Sequence, residues 1–199
     1  ARSVASAALF SGLFKGTKDY LQPVIAALAL SLPVATGLAD SRREAVVVGV
    51  VYTLIYVLTS ISSRNSSRVA HLLRAPAVAL NWQLVMGLMI AVAIGLLRWN
   101  ELTVAPVALF MALYVIQNFR KPVGVACVSQ RVPDGALATV LSVESQLESL
   151  FAAGVALLVG ALAQLAGGNV GPGIALAGLL CVLALPFLWI RSRDRIETT

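Results

Sequence analysis

Long apolar stretches constrain this chain more than any other feature of its sequence. An α-helix needs roughly 20 apolar residues to cross the hydrocarbon core of a bilayer. Six segments reach or approach that length, and charged or turn-forming residues separate them. Because lipid cannot satisfy backbone polar groups, each spanning segment must be a helix. We predict an all-α membrane protein, one bundle over 1–199 with six transmembrane helices at about 4–32, 44–61, 77–97, 102–119, 137–165 and 173–190.

Composition and motif content exclude most soluble functions. Only 12% of the residues are charged, against roughly a quarter in a soluble domain. Cys127 and Cys181 lie in or beside apolar segments without metal-ligand spacing, so packing roles are expected. His71 stands alone in a basic loop, and no phosphate loop or nucleophile motif is present. We therefore expect the lipid bilayer as a partner, and neither an enzyme, a metal, a cofactor nor a nucleic-acid partner.

The distribution of basic residues predicts how the bundle is oriented. Six spans place both termini on one side, and that side receives 12 of the 15 Lys and Arg residues. The other side receives Arg42, Arg43 and Arg98. If Lys15 and Lys18 are assigned to the membrane instead, ten basic residues remain on the side of the termini, against three on the other side. The positive-inside rule then places both termini in the cytoplasm, with the protein in the cell (inner) membrane.

Several short stretches carry a resemblance to a known family. The clearest are Arg120-Lys121-Pro122, Ser129-Gln130-Arg131-Val132-Pro133 and Ala138-Thr139-Val140-Leu141-Ser142, followed by Lys18-Asp19-Tyr20-Leu21-Gln22-Pro23. Together they resemble the C-terminal half of a major facilitator superfamily transporter, helices seven to twelve. Leu137 departs from the family pattern, which usually has Arg there, so a contact made by that Arg is not carried over.

The resemblance implies both an architecture and a function. The six spans would form two inverted three-helix repeats, and an N-terminal six-helix half of the same transporter would be the partner. The chain begins with Ala1 rather than Met, and we expect it to be a piece of a longer protein. The implied function is secondary active transport of an unidentified small solute by alternating access. Protons are the candidate coupling ion, a hypothesis that rests on Glu144, Glu148 and Asp19 rather than on the resemblance.

Two carboxylates in the fifth span are candidate site residues. Glu144 and Glu148 are four residues apart and therefore share a helix face. Counted from Leu137, Glu148 lies ~17 Å into the membrane. Ionisable residues at that depth usually face a cavity or a partner, so proton coupling or cation recognition is one interpretation. The alternative is that both carboxylates only contact polar groups of the other half.

Polar residues interrupt the first span and form the second group of candidates. Lys15 and Asp19 have the spacing for a local ion pair, and Lys18, Tyr20 and Gln22 complete the group. In a span that starts near residue 4 the group is deep and faces a cavity, with Pro23 kinking the helix. In a span that starts near Tyr20 the lysines are surface anchors. We favour the deep placement because of the resemblance.

Tyr114 is the last candidate, because the resemblance places the fourth span beside the cavity. Two other functions fit parts of the sequence. One is a structural or assembly membrane protein without a transport cycle, although the polar residues of spans one and five argue against it. The other is an intramembrane enzyme, for which the isolated His71 offers little support. The sequence specifies neither the substrate nor the direction of transport.

Overall fold

The fold is built from α-helices throughout the part of the chain that the computed structural model describes, residues 2–33, 37, 39–72, 76–130 and 132–190. Over these residues there are no strands, so the all-α prediction is confirmed. The helices are α1 (Arg2–Lys18), α2 (Leu21–Ser31), α3 (Asp40–Leu72), α4 (Pro76–Trp99), α5 (Val104–Ser129), α6 (Leu137–Leu165), α7 (Gly171–Leu183) and α8 (Leu185–Leu188), with a 3₁₀ turn at Asp134–Ala136.

The first predicted span is two helices rather than one kinked helix. α1 ends at Lys18, a turn follows at Asp19 and Tyr20, and α2 begins at Leu21. Pro23 therefore lies in the first turn of α2. Backbone N–H groups in the first turn have no partner within the helix, so the N–H that proline lacks costs no helical hydrogen bond. The Tyr20 hydroxyl donates to the carbonyl of Ala156 at 2.8 Å, which anchors the turn to α6. The predicted kink at Pro23 is wrong because the helix starts there.

Two other predicted boundaries also change. The predicted span over 44–61 lies within the longer α3, which continues to Leu72. The predicted span over 102–119 was expected to close at Arg120-Lys121-Pro122, but α5 continues through Pro122 to Ser129. The residues before and after Pro122 pack on neighbouring helices, and Arg120 and Val123 are both buried. Tertiary packing therefore outweighs the cost of one proline inside the helix.

Three helices in the described residues are long and apolar enough to cross a membrane. They are Asp40–Ser66 within α3, Ala77–Trp99 within α4, and Leu137–Leu165, which is α6. Large apolar side chains on α6 remain uncovered, with Leu157 76% exposed and Leu165 84% exposed. Exposing large apolar side chains is unfavourable in water, whereas contact between these side chains and lipid is not. These helices indicate a membrane protein.

Packing is organised around four helix pairs. α1 lies along α6, α4 lies along both α7 and α5, and α3 lies along α5. The first pair is close because Gly12 has no side chain: a Cβ there would lie 2.5 Å from the Cβ of Phe151. The main core fills the space among the pairs and includes the fully buried Phe10, Leu84 and Phe110. This arrangement brings polar residues of α1, α5 and α6 to one cleft.

Candidate functional site

A polar cleft of about 270 Å³ opens between α1, α5 and α6. It is unusual within an apolar bundle because charged and hydroxyl side chains form much of its lining. Its lining residues are Ser3, Ala7, Ser11, Lys15, Leu80, Arg120, Lys121, Gly124, Val125, Leu141, Glu144, Ser145 and Glu148. The cleft therefore gathers both carboxylates of α6 and three basic side chains from α1 and α5.

An ion pair joins α1 to α6 inside this cleft. The Lys15 Nζ lies 2.8 Å from a carboxylate oxygen of Glu148, and the two side chains are 41% and 10% exposed. Gly12 and Gly16, on the face of α1 that packs against α6, bring the two backbones close enough for the pair to form. Lys15 thus pairs with a residue of another helix. The local spacing had predicted a pair with Asp19 instead. The carboxylate is the more buried partner, so it depends on the ammonium for its charge compensation.

Arg120 lies at the inner wall of the cleft and ties three helices together. It is 3% exposed. Its guanidinium donates to the Leu80 carbonyl of α4 and, at 2.7 Å, to Ser6 Oγ of α1. It also lies 5.0 Å from the centre of the Phe10 ring, a cation–π arrangement. These contacts hold the middle of α5 against α1 and α4.

Glu144 lies one turn before Glu148 and is half-buried. It is within electrostatic range of Glu148, Arg120 and Lys121. The nearby Gln117 donates to Ser11 Oγ at 3.1 Å and so adds a second link between α5 and α1. The cleft thus holds opposite charges at close quarters. Such an arrangement can exchange a proton or hold a charged group of a solute.

The predicted site residues do not all meet in this cleft. The structure brings Glu144 and Glu148 together there, as their spacing predicted. Lys18 is half-buried at the end of α1, and Gln22 is exposed near the start of α2. Neither of these two residues lines the cleft, and of the remaining predicted candidates Asp19 and Tyr114 belong to a second group.

Asp19 and three tyrosines form that second group, which we call the tyrosine cluster: Asp19, Tyr52, Tyr56 and Tyr114. The rings of Tyr52 and Tyr56, neighbours on α3, have centres 6.4 Å apart. Tyr114 of α5 meets Phe14 edge to face, with ring centres 4.7 Å apart. Asp19 is within electrostatic range of both Tyr52 and Tyr114. Tyr20, in contrast, turns toward α6.

Sequence reasoning missed the roles of Lys15 and Arg120. Lys15 was considered as a local partner of Asp19 or as a surface anchor, and its actual partner is 133 residues away in sequence. Arg120 was placed at the cytoplasmic end of the fourth span, where that span was expected to close. A usable signal existed for it, because Leu113, Ile116 and Arg120 recur at helical spacing and form one buried face of α5.

No known protein family matches the chain, and no curated protein or solved structure shows a significant match.

Proposed function

We propose that this chain is the C-terminal half of a secondary transporter of the major facilitator type. It moves a small solute across the cell membrane by alternating access, together with an N-terminal six-helix half. Both termini lie in the cytoplasm. The observation that carries the proposal is the ion-paired, two-carboxylate cleft inside an apolar helical bundle, because buried charges in membrane proteins are costly and mark solute or ion pathways.

The proposed six spans correspond to α1 with α2, then α3, α4, α5 and α6, and finally α7 with α8. Two inverted repeats would relate the first three spans to the last three. When each of the first three spans is exchanged with its counterpart among the last three, the α1–α6 pair becomes the α5–α3 pair. The α4–α7 pair is unchanged. All three pairs are in contact, but α4 also packs closely along α5, whereas the counterpart of that pair under the exchange, α7 against α1, is a minor contact. The repeat arrangement therefore rests on the sequence resemblance.

The break between α1 and α2 also supports transport. Discontinuous helices are a recurring feature of transporter sites, because irregular backbone at membrane depth is tolerated where it lines a cavity. Here the break falls at Asp19 and Tyr20. The turn is directed by the hydroxyl of Tyr20, which bonds to the backbone of α6. A change in the α1–α6 contact would therefore be transmitted to the break.

The Lys15–Glu148 pair is the proposed coupling element. When a proton binds the Glu148 carboxylate, the negative charge that holds the Lys15 ammonium disappears. The pair then separates, and the ammonium, already 41% exposed, turns to water. Loss of the proton restores the pair and draws α1 back onto α6. One proton thus selects between two arrangements of the same helix pair.

Cysteine labelling in proteoliposomes tests this proposal. The full chain, with Cys127 and Cys181 replaced by Ala, receives one new cysteine at a time: Ser145→Cys in the cleft or Leu157→Cys on the exposed apolar face of α6. A water-soluble maleimide should label the first and spare the second, because thiolates form only where water reaches. Imposing a proton gradient should change the Ser145→Cys rate about twofold or more, and Glu148→Gln should abolish that change.

Two results would overturn the proposal. Labelling of Ser145→Cys as slow as that of Leu157→Cys would mean that no aqueous cleft exists at this face of α6. A Ser145→Cys rate that is the same with and without the gradient would mean that the cleft does not respond to protons. Circular dichroism of each variant checks that the helices are retained.

A further inference from the structure

Two opposite charges line the cleft between α1, α5 and α6 without pairing across it. Glu144 of α6 is half-buried, and it makes no ion pair or side-chain hydrogen bond with any described residue. Lys121 of α5 is exposed and likewise has no ion-pair partner among the described residues. Lys15 and Glu148, in contrast, already neutralise each other. The cleft therefore holds one carboxylate and one ammonium group that its own residues leave uncompensated.

The position of Glu144 along α6 makes the missing partner costly. Counted from Leu137, Glu144 lies ~10 Å along the helix. A carboxylate at that depth in a membrane is unfavourable unless it faces a partner or a water-filled cavity. Glu144 is half-buried and lines the cleft, so a partner has to approach it through the cleft. A ligand that carries a positive charge into the cleft would supply that partner.

A third charge, on Arg120, strengthens the positive side of the cleft. The side chain is 3% exposed, its guanidinium donates only to two neutral groups, the Leu80 carbonyl and Ser6 Oγ, and its Nε has no hydrogen-bond partner in the described part of the chain. A buried charge without a counter-ion is costly. Arg120 and Lys121 are adjacent in the chain and line the same cleft. Their charges favour an anionic group on the α5 side, whereas Glu144 favours a cationic group on the α6 side.

Hydroxyl groups in the lining supply further hydrogen-bond donors. Ser11 Oγ accepts a hydrogen bond from Gln117, which leaves the hydroxyl hydrogen of Ser11 for another acceptor. The Ser145 hydroxyl makes no hydrogen bond with a described residue. Carboxylate oxygens accept several hydrogen bonds at once, and those from charged donors are the strongest. The cleft thus offers donors to a carboxylate and an acceptor to an ammonium group.

A small zwitterion matches both sides of the cleft. Its carboxylate would accept hydrogen bonds from Lys121 and the hydroxyl groups, and its ammonium group would donate to Glu144. A simple anion would leave Glu144 without a partner, and a simple cation would leave Lys121 and Arg120 without one. The volume of about 270 Å³ lies below the range of roughly 300–1,000 Å³ that is typical of pockets for drug-sized ligands. The cleft therefore suits a small solute that carries both charges.

We propose that the cleft binds a small zwitterion of the amino-acid type, with its carboxylate on the side of Lys121 and Arg120 and its ammonium group at Glu144. Within the proposed transport function, on which this role rests, such a zwitterion is the transported solute. The pair of Lys15 and Glu148 in the same cleft keeps its proposed role as the element that responds to protons. Binding of the zwitterion is measurable without transport.

Saturation-transfer NMR of the full chain in phosphatidylcholine nanodiscs tests the proposal. The probes are tert-leucine, 3,3-dimethylbutanoate, which lacks the ammonium group, and neopentylammonium, which lacks the carboxylate. All three carry the same tert-butyl group, so they differ only in their charged groups. tert-Leucine should bind, and each analogue with a single charge should bind at least about tenfold more weakly. Empty nanodiscs correct for partition of the probes into lipid.

Two charge variants assign the two ends of the ligand. Glu144→Gln should weaken tert-leucine binding about five- to tenfold without weakening that of 3,3-dimethylbutanoate, which has no ammonium group. Lys121→Gln should weaken tert-leucine binding about two- to fivefold, because the side chain is exposed, without weakening that of neopentylammonium. Neither side chain is fully buried, so both variants should fold. Glu101→Gln, in the exposed turn between α4 and α5, and Lys18→Gln, at the end of α1 outside the cleft, are the matched controls and should leave all three affinities unchanged.

Failure of this inference can be told apart from failure of the proposed function. Absent tert-leucine binding, an analogue that binds as tightly as tert-leucine, or a Glu144→Gln variant with unchanged affinity for tert-leucine overturns the zwitterion site, whatever the labelling of Ser145→Cys shows. Specific tert-leucine binding with a gradient-insensitive cleft supports the zwitterion site and counts against the transport cycle.

Discussion

Replacing Lys15 should destabilise the protein more than replacing Glu148, although the two residues form one ion pair. At an effective dielectric constant of about 20, charges 2.8 Å apart attract by roughly 6 kcal/mol, most of which offsets the desolvation of the buried carboxylate. Lys15→Met leaves that carboxylate uncompensated at 10% exposure. Glu148→Gln leaves an ammonium that is 41% exposed and can reach water.

These exposures set the expected magnitudes. We expect Lys15→Met to lower the free energy of unfolding by about 2–3 kcal/mol and Glu148→Gln by about 1 kcal/mol. The double variant should be about 1–2 kcal/mol more stable than the two single effects would predict if they were additive.

Reversible unfolding in mixed micelles, followed by tryptophan fluorescence, measures the free energy of unfolding of the wild-type protein, the two single variants and the double variant. Equal costs for the two single variants, or strict additivity, would refute the argument from exposure.

Two further comparisons use matched residues. Gly12→Ala should cost about 1–3 kcal/mol of unfolding free energy, because the new methyl would lie 2.5 Å from a carbon of α6, whereas Gly154→Ala meets nothing within 4 Å and should be neutral or stabilising. Asn81→Ala should cost about 2–3 kcal/mol, because both buried backbone groups of Ile190 lose their side-chain partner, and hydrogen exchange near the end of α8 should rise. Asn100→Ala, exposed and bonded within its own helix end, should cost under about 0.5 kcal/mol.

The location of the helices followed from the sequence more directly than their interruptions did. The predicted segment 137–165 coincides with α6, because an apolar run bounded by glycine and proline turns has clear limits. The break at Asp19 and Tyr20 was indicated only by the interrupting polar residues and by the alternative of a span that starts near Tyr20. Hydropathy averages over a window, whereas the break depends on where Pro23 can sit in a helix and on a hydrogen bond from Tyr20 to a residue of α6.

The candidate site was predictable only within single helices. The spacing of Glu144 and Glu148 placed them on one face, and the structure brings both to one cleft. The same reasoning paired Lys15 with Asp19, since sequence spacing describes neighbours on one helix and not neighbours across two. Arg120 was counted with the cytoplasmic charges. Without it, eleven basic residues still face three, so the predicted orientation does not depend on it.

The proline inside α5 has a mechanical consequence. Pro122 has no N–H to donate to the carbonyl of Asn118, so α5 is softest there. Arg120 clamps the helix just before that point to α1 and α4. If α5 bends, we therefore expect the bend immediately after Arg120. Gly124 and Val125, which line the cleft, lie in the part of α5 that follows the bend. Tyr114 lies in the part that precedes it, so bending would move the cleft wall relative to Tyr114.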